Sequence, residues 1–319
     1  MNTSGKLAAY GAAVALVAAG AWAVGAAVGP LSGAAGVPGG EDAGHGGGHS
    51  GTVAALPDEP AGLSSSRGGY TLTPTSTALT AEETFAFTIT GPDGEPVTEF
   101  DVEHDKRMHL IVVRRDLTGF QHVHPEMAPD GRWSVPLTVA DPGVYRAYAD
   151  FAPTGAEPLT LGVDLFADGD AKQVRHADSR VVEVDGYRVR LDGDLTAGRS
   201  AEVAVTVTKD GREVTDLEPY LAAYGHLVAL RQGDLAYLHV HPEGAPGDGR
   251  TPAGPRVAFA VEVPSTGTYR LFLDFKHAGE VRTADFTVTV GGGTTPSAPT
   301  TSPAPTSGGH SDDTEHGHG

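Results

Sequence analysis

Two stretches of this 319-residue chain are copies of one another, and a duplicated segment of that size must be a folding unit that occurs twice. Tyr70 aligns with Tyr187, and the turns Asp93-Gly94 and Asp210-Gly211 coincide. The centres read MHLIVVRRDLTGFQHVHPE and GHLVALRQGDLAYLHVHPE, and the ends read GVYRAYADF and GTYRLFLDF. The register runs without a gap from the two tyrosines through the His-Pro corners. The second copy then inserts GAPGDGRTPAGP before its last strands.

Within each copy the apolar pattern is that of short strands. FAFTIT and AEVAVTV alternate with period two and are followed by Asp-Gly turns, a strong hairpin signal. No stretch after residue 30 repeats apolar residues at helical spacing. Many short strands in about 100 residues predict an all-β fold of two tandem immunoglobulin-like β-sandwiches. They should span residues 68–180 and 181–290 and share one strand order. Units of this size support their own cores, so the absence of cysteine is no obstacle.

The flanks differ in kind. After Lys6, the run Leu7 to Gly29 carries no charge and reaches the roughly 20 residues that span a bilayer as a helix. Residues 1–29 are therefore expected to be a transmembrane anchor, with a cleaved signal peptide as the alternative. Either reading puts the domains outside the cytoplasm, at the cell membrane or secreted after cleavage. Residues 30–67 are rich in Gly, Ala, Ser and Pro and read as a flexible linker, with His45 and His49. Residues 291–319 read as a disordered tail bearing His310, His316 and His318. Such a tract is a compositional metal signal or a solubilising tail.

Six histidines carry the chemical argument. His109, His122 and His124 in the first copy recur at the same spacing as His226, His239 and His241 in the second. HLIVV and QHVHP flank DLTG and predict a hairpin in which Val113 faces His122 and Ile111 faces His124. Alternation then puts all three histidines of a copy on one face. His109 should lie one diagonal step from His124, roughly 7–8 Å between α-carbons, with His122 further along and Phe120 on the same face. Asp150 and Asp274, at equivalent places in YADF and LDF, are candidates to ligate a metal or orient an imidazole. Each copy is thus expected to hold its own set: His109, His122, His124 and Asp150, then His226, His239, His241 and Asp274. Imidazole suits Cu(II) or Zn(II). The competing reading is a hydrogen-bond network that locks the His-Pro corner of an interaction module without metal. His104, Met108 and His277 have no counterpart in the other copy; they read as surface residues, with completion of a site in one domain only as the alternative.

Composition narrows the function classes. Without cysteine there is no thiolate site, no cysteine nucleophile and no blue-copper centre. Three methionines, one of them Met1, argue against a Met-rich Cu(I) store. A net charge of −19 argues against nucleic acid as a partner. G-x-S-x-G and H-E-x-x-H are absent, which favours a non-enzymatic role with no organic cofactor.

At HLIVVRRDLTGFQHVHPE and YRAYADF the chain resembles bacterial membrane-anchored envelope proteins with tandem immunoglobulin-like HxHP domains associated with heavy-metal handling. It is distantly similar to YtkA-like and CopC-like β-sandwich domains. The resemblance covers roughly residues 68–290. It implies an extracytoplasmic protein that buffers or delivers a metal ion, contacts the membrane through its N-terminal helix and meets other envelope proteins.

Overall fold

A computed structural model describes residues 60–291, His239 excepted. The N-terminal apolar run, residues 30–59 of the linker and the tail after Gly291 lie outside the described residues. Among the described residues every regular element is a strand, and no helix is long and apolar enough to cross a membrane.

The first copy contains β1 (Ser66–Arg67), β2 (Tyr70–Pro74), β3 (Ala78–Leu79), β4 (Glu82–Thr90) and β5 (His109–Arg114). It continues with β6 (Gln121–Val123), β7 (Glu126–Met127), β8 (Arg132–Thr138), β9 (Gly143–Phe151) and β10 (Leu159–Ala167). The second contains β11 (Val181–Val184), β12 (Tyr187–Asp192), β13 (Arg199–Lys209), β14 (Arg212–Glu213) and β15 (His226–Arg231). It ends with β16 (Tyr237–Leu238), β17 (Val240–Pro242), β18 (Arg256–Val263), β19 (Gly267–His277) and β20 (Glu280–Val290).

Each copy folds into two facing sheets. In the first these are β1-β2-β4-β8-β7 and β3-β10-β9-β5-β6; in the second, β11-β12-β13-β18-β17 and β16-β15-β19-β20. The strand order is the same in both, apart from β3 and β14, which have no partner element in the other copy. In the first copy β3 joins β10 in parallel while β2 pairs with β4, so one chain segment serves both sheets. At the start of β9 and of β19 the hydroxyls of Tyr145 and Tyr269 donate to the carbonyls of Asp141 and Ser265 (2.7 and 2.8 Å). This tyrosine corner is a hallmark of immunoglobulin-like sandwiches.

The cores follow the alternation read from the sequence. Phe85, Phe87 and Ile89 of β4 interleave with Trp133, Val135 and Leu137 of β8 inside the first sandwich. Tyr187, Val189, Val205, Phe259 and Phe286 do the same in the second. β5 departs from this pattern, being buried on both faces. Leu110 and Val112 point into their own sandwich. Ile111 and Val113 join Tyr148, Val228, Leu230, Tyr237 and Phe272 in a third core between the two domains. A strand buried on both sides reads as a continuous apolar run, hence HLIVV and HLVAL.

The contacts across this third core are reciprocal. Phe120 of the first copy stacks on Phe272 of the second, with ring centres 4.1 Å apart. Tyr237 of the second, the counterpart of Phe120, packs against Tyr148 of the first, the counterpart of Phe272, at 5.6 Å. Such exchange of equivalent positions marks an approximate twofold relation. Tyr148 also donates its hydroxyl to the carbonyl of Leu235 across the interface (2.6 Å).

Residues 60–67 fall in the stretch expected to be flexible linker and are instead tied down. The Arg146 guanidinium, buried in the fold, donates to the carbonyls of Gly62 and Leu63 (2.7 and 2.6 Å). The backbone N–H of Tyr237 donates to Ala61 (3.0 Å). A buried guanidinium needs acceptors, and this segment supplies them. Gly62 is required there, since it holds φ of +73° and a Cβ would lie 2.5 Å from the Tyr148 ring.

Candidate metal centre

β5 carries His109, β6 carries His122, and His124 follows where the chain leaves the sheet. The ladder pairs Leu110 with Val123, Ile111 with His122 and Val112 with Gln121. This corrects the expected register, in which His122 faced Val113, by two residues. The cause lies in the loop. Its turn closes on Arg114 and Thr118, with Leu117 and Gly119 at φ of 66° and 62°. A slip of two preserves parity, so the three histidines still share one face. It also makes His122, rather than His124, the diagonal neighbour of His109. That face is the one covered by the second domain.

The three rings converge. Their centres are 5.4 Å (His109–His122), 5.0 Å (His109–His124) and 4.9 Å (His122–His124) apart. One nitrogen from each lies within 4.8 Å of the others. An ion about 2.05 Å from each of three imidazole nitrogens at tetrahedral angles would set ring centres about 5.2 Å apart and nitrogens about 3.3 Å apart. The observed ring spacings match that arrangement.

Hydrogen bonding marks which nitrogens are available in the neutral rings. His109 Nε2 lies 3.0 Å from the Glu103 carbonyl. A carbonyl only accepts, so Nε2 carries the proton and Nδ1 of the neutral ring carries the lone pair. His122 Nδ1 lies 2.8 Å from Asp274 Oδ2 and donates to it, which in the neutral ring leaves Nε2 with the lone pair. His109 Nδ1 and His122 Nε2 are 3.1 Å apart. Two lone pairs at that distance repel unless a proton or a metal ion stands between them. His124 Nε2 is buried with no partner at all, a costly state for a polar atom unless something binds it.

The surroundings favour neutral rings. Burial, opposed in part by the Glu103 bond, pushes His109 down to about 4. Burial and the His122 and His109 rings push His124 down to about 3. Neutral imidazole is the form that binds metals. The second domain contributes the far wall. His226 lies parallel to His109 at 5.7 Å and 4.9 Å from His122, with its Nδ1 buried and unpartnered. Burial holds it neutral too, well below the usual histidine range. Tyr220 packs 6.4 Å from His124, and burial with nearby Asp274 lifts its hydroxyl to about 12.

The eight candidate residues are thus not arranged as one set per copy. His109, His122 and His124 converge, and Asp274 of the other copy bonds His122. His226 stands beside that group. Asp150 accepts from Thr160 (2.8 Å) and from Tyr237 of the second domain (3.3 Å). His241 is exposed on β17 opposite Ala260 and lines an open cleft of about 650 Å³ with Asp150 and Glu103. His239 lies outside the described residues.

Three residues read as surface positions are placed differently. Met108 is 1% exposed in the first core. His277 is half-buried and bonded to the Tyr187 hydroxyl (2.7 Å). His104 lies 5.6 Å from His226 and 6.2 Å from His109. It sits in a tight turn with positive φ at both central residues, His104 and Asp105, repeated at Leu221 and Ala222. The shared turn is legible in the gap-free alignment, and the histidine that stands there in place of a leucine is the one of the three found beside the cluster. Tyr220, Thr283 and the Glu103 carbonyl, by contrast, were unmarked in the sequence.

The family described as "Domain of unknown function (DUF8832)" matches residues 65–163 and 182–292. The chain belongs to this family. The two matched stretches of DUF8832 coincide with the two sandwiches. No curated protein matches the chain. Among solved structures it is similar to InvD of Yersinia pseudotuberculosis at 14% identity, over 72% of this chain and 61% of that one, with a TM-score of 0.23. It is similar to invasin, described as a bacterial integrin-binding protein, at 10% identity over 70% and 40%, TM-score 0.22. The D0–D1 region of intimin matches at 11% over 69% and 97%, TM-score 0.20. The chain therefore spans about three fifths of InvD and two fifths of invasin. Scores this low carry no argument about function.

Proposed function

We propose that this DUF8832 chain is a non-enzymatic metal-binding protein that takes Cu(II) or Zn(II) at His109, His122 and His124 and works outside the cytoplasm to buffer or deliver the ion. The observation that carries the reading is the close approach of two ring nitrogens, His109 Nδ1 and His122 Nε2, 3.1 Å apart. The outer nitrogens of both rings are already occupied, by a backbone carbonyl and by a carboxylate. That is the outer-sphere pattern of histidines that ligate metals. The unpartnered Nε2 of His124 supplies a third donor. Three neutral nitrogens leave one position of a tetrahedral ion open.

A proton can fill the same gap. In that second reading a His122 imidazolium donates to both Asp274 and His109, and the cluster is a structural hydrogen-bond network. The short approach of His122 to Asp274 inside the fold favours weighing it. Titration with Zn(II) and Cu(II) separates the two. The protein used is the full chain with His45, His49, His310, His316 and His318 replaced by Ser, so that the flanking histidines do not bind. The metal reading expects one tight site, lost on His124→Ala. Absence of a tight site in the parent protein would leave the proton reading standing.

A further inference from the structure

We propose that the metal site is a clasp between the two sandwiches. The first domain supplies the three donor histidines, and the second completes the site with the carboxylate that orients His122. Ion binding and interdomain docking then reinforce each other. This rests on the metal reading above and adds a regulation to it.

The orienting group comes from far along the chain. His122 Nδ1 meets a carboxylate 152 residues away, on β19 of the second sandwich. That carboxylate is itself held. Asp274 is 3% exposed, and its other oxygen accepts from Thr283 of β20 (2.6 Å). Asp274 is the register partner of both His226 and Thr283, so the second sandwich fixes where it stands. The first domain's own equivalent, Asp150, is engaged by Thr160 and Tyr237 and cannot take its place without leaving them. His226 and Tyr220 close the same side of the cluster.

If the domains part, His122 loses its acceptor and its ring is free to turn or to place its proton on the donor nitrogen. Loss of an outer-sphere partner of this kind typically lowers metal affinity 10–100-fold. Linkage makes the effect reciprocal, so the ion must tighten docking by the same factor.

The test uses the full chain with the five flanking histidines replaced by Ser, probed with Zn(II). Its metal affinity is measured, and amide exchange is followed with and without the ion. The parent should bind one Zn(II) tightly, and His124→Ala should lose it. Asp274→Asn should bind 10–100-fold more weakly. In the parent, zinc should slow exchange in β5 and β9 and equally in β15 and β19 of the second sandwich. In Asp274→Asn the protection should stop at the first sandwich. Thr283→Val, which keeps the carboxylate but removes its support, should weaken binding in the same direction by a few-fold. It decides the matter should Asp274→Asn fail to fold. Unchanged affinity in either folded variant, or zinc protection confined to the first sandwich in the parent, overturns the clasp while leaving the metal site intact. No tight zinc in the parent overturns the metal reading, and the clasp with it.

Discussion

Asp150 and Asp274 began as the same residue of the same repeat, and they now do different things. Each sits across from the first histidine of its copy, Asp150 from His109 and Asp274 from His226. Each gives one oxygen to a threonine on the next strand, Thr160 or Thr283. Their second oxygens reach across the interface and meet different groups. Asp274 finds His122 at 2.8 Å, whereas Asp150 finds the Tyr237 hydroxyl at 3.3 Å. The second copy also leaves its sheet sooner. β17 begins at Val240 and carries His241 into the opposite sheet, where it is exposed, whereas β7 begins only at Glu126 and leaves His124 beside His109. Duplication copied the backbone. Where each histidine leaves the sheet decides which end of the near-twofold interface gathers donors.

The sharpest way to break this comparison is to remove each carboxylate in the metal-free protein. Asp274→Ala strands a buried His122 N–H and the Thr283 hydroxyl, and should cost about 2–4 kcal/mol. Asp150→Ala, which strands the Thr160 hydroxyl and removes the long bond from Tyr237, should cost less, about 1–2 kcal/mol. Urea unfolding of both variants measures this; equal losses would show that the two ends are alike after all.

Zinc should add stability at one end only. At a free concentration 100 times the dissociation constant, binding to the folded state contributes about 2.7 kcal/mol. The gain should be present in Asp150→Ala and absent in His124→Ala, as read from unfolding midpoints with and without ion.

Acid should undo the same end. His109 and His124 are held neutral, at about 4 and about 3, against an ordinary 6.5. Between those values the unfolded chain binds protons that the folded one refuses, so stability falls as pH drops. Metal-free protein should lose stability from about pH 6.5 downward, and the loss should flatten near the folded values. Urea midpoints at pH 7.5, 5.5 and 4.5 test this. A flat profile across that range would mean that the rings are not held neutral.

The smallest expected effect is Tyr237→Phe, which gives the second copy the ring the first already has at Phe120. It removes only the long bond to Asp150, a loss of about 0.5–1.5 kcal/mol. A larger loss would assign Tyr237 a weight in the interface that its geometry does not suggest.

Much of the fold was legible before any coordinates. Alternation in FAFTIT and AEVAVTV marked strands with one inward face, and the unbroken register from Tyr70 and Tyr187 required one strand order twice. The shared face of His109, His122 and His124 followed from parity, which survived a register error of two because side chains repeat every second residue. The error itself came from a loop whose left-handed Leu117 leaves no trace in composition. His104 stood out only as a histidine without a counterpart, because a turn keeps its shape whether Leu221 or a histidine fills it.

The sequence by itself determined that this chain is two immunoglobulin-like sandwiches and that three histidines of one hairpin lie side by side. Those are local facts, set by the strand period and by a repeat. Only the tertiary structure decided what covers that face. A strand pattern puts the three histidines on one face, but it does not say which residues bury that face. The second sandwich does, and it brings Asp274 to His122 while Asp150 goes to Tyr237. Packing between domains joins residues more than a hundred positions apart, and no periodicity along the chain records that choice.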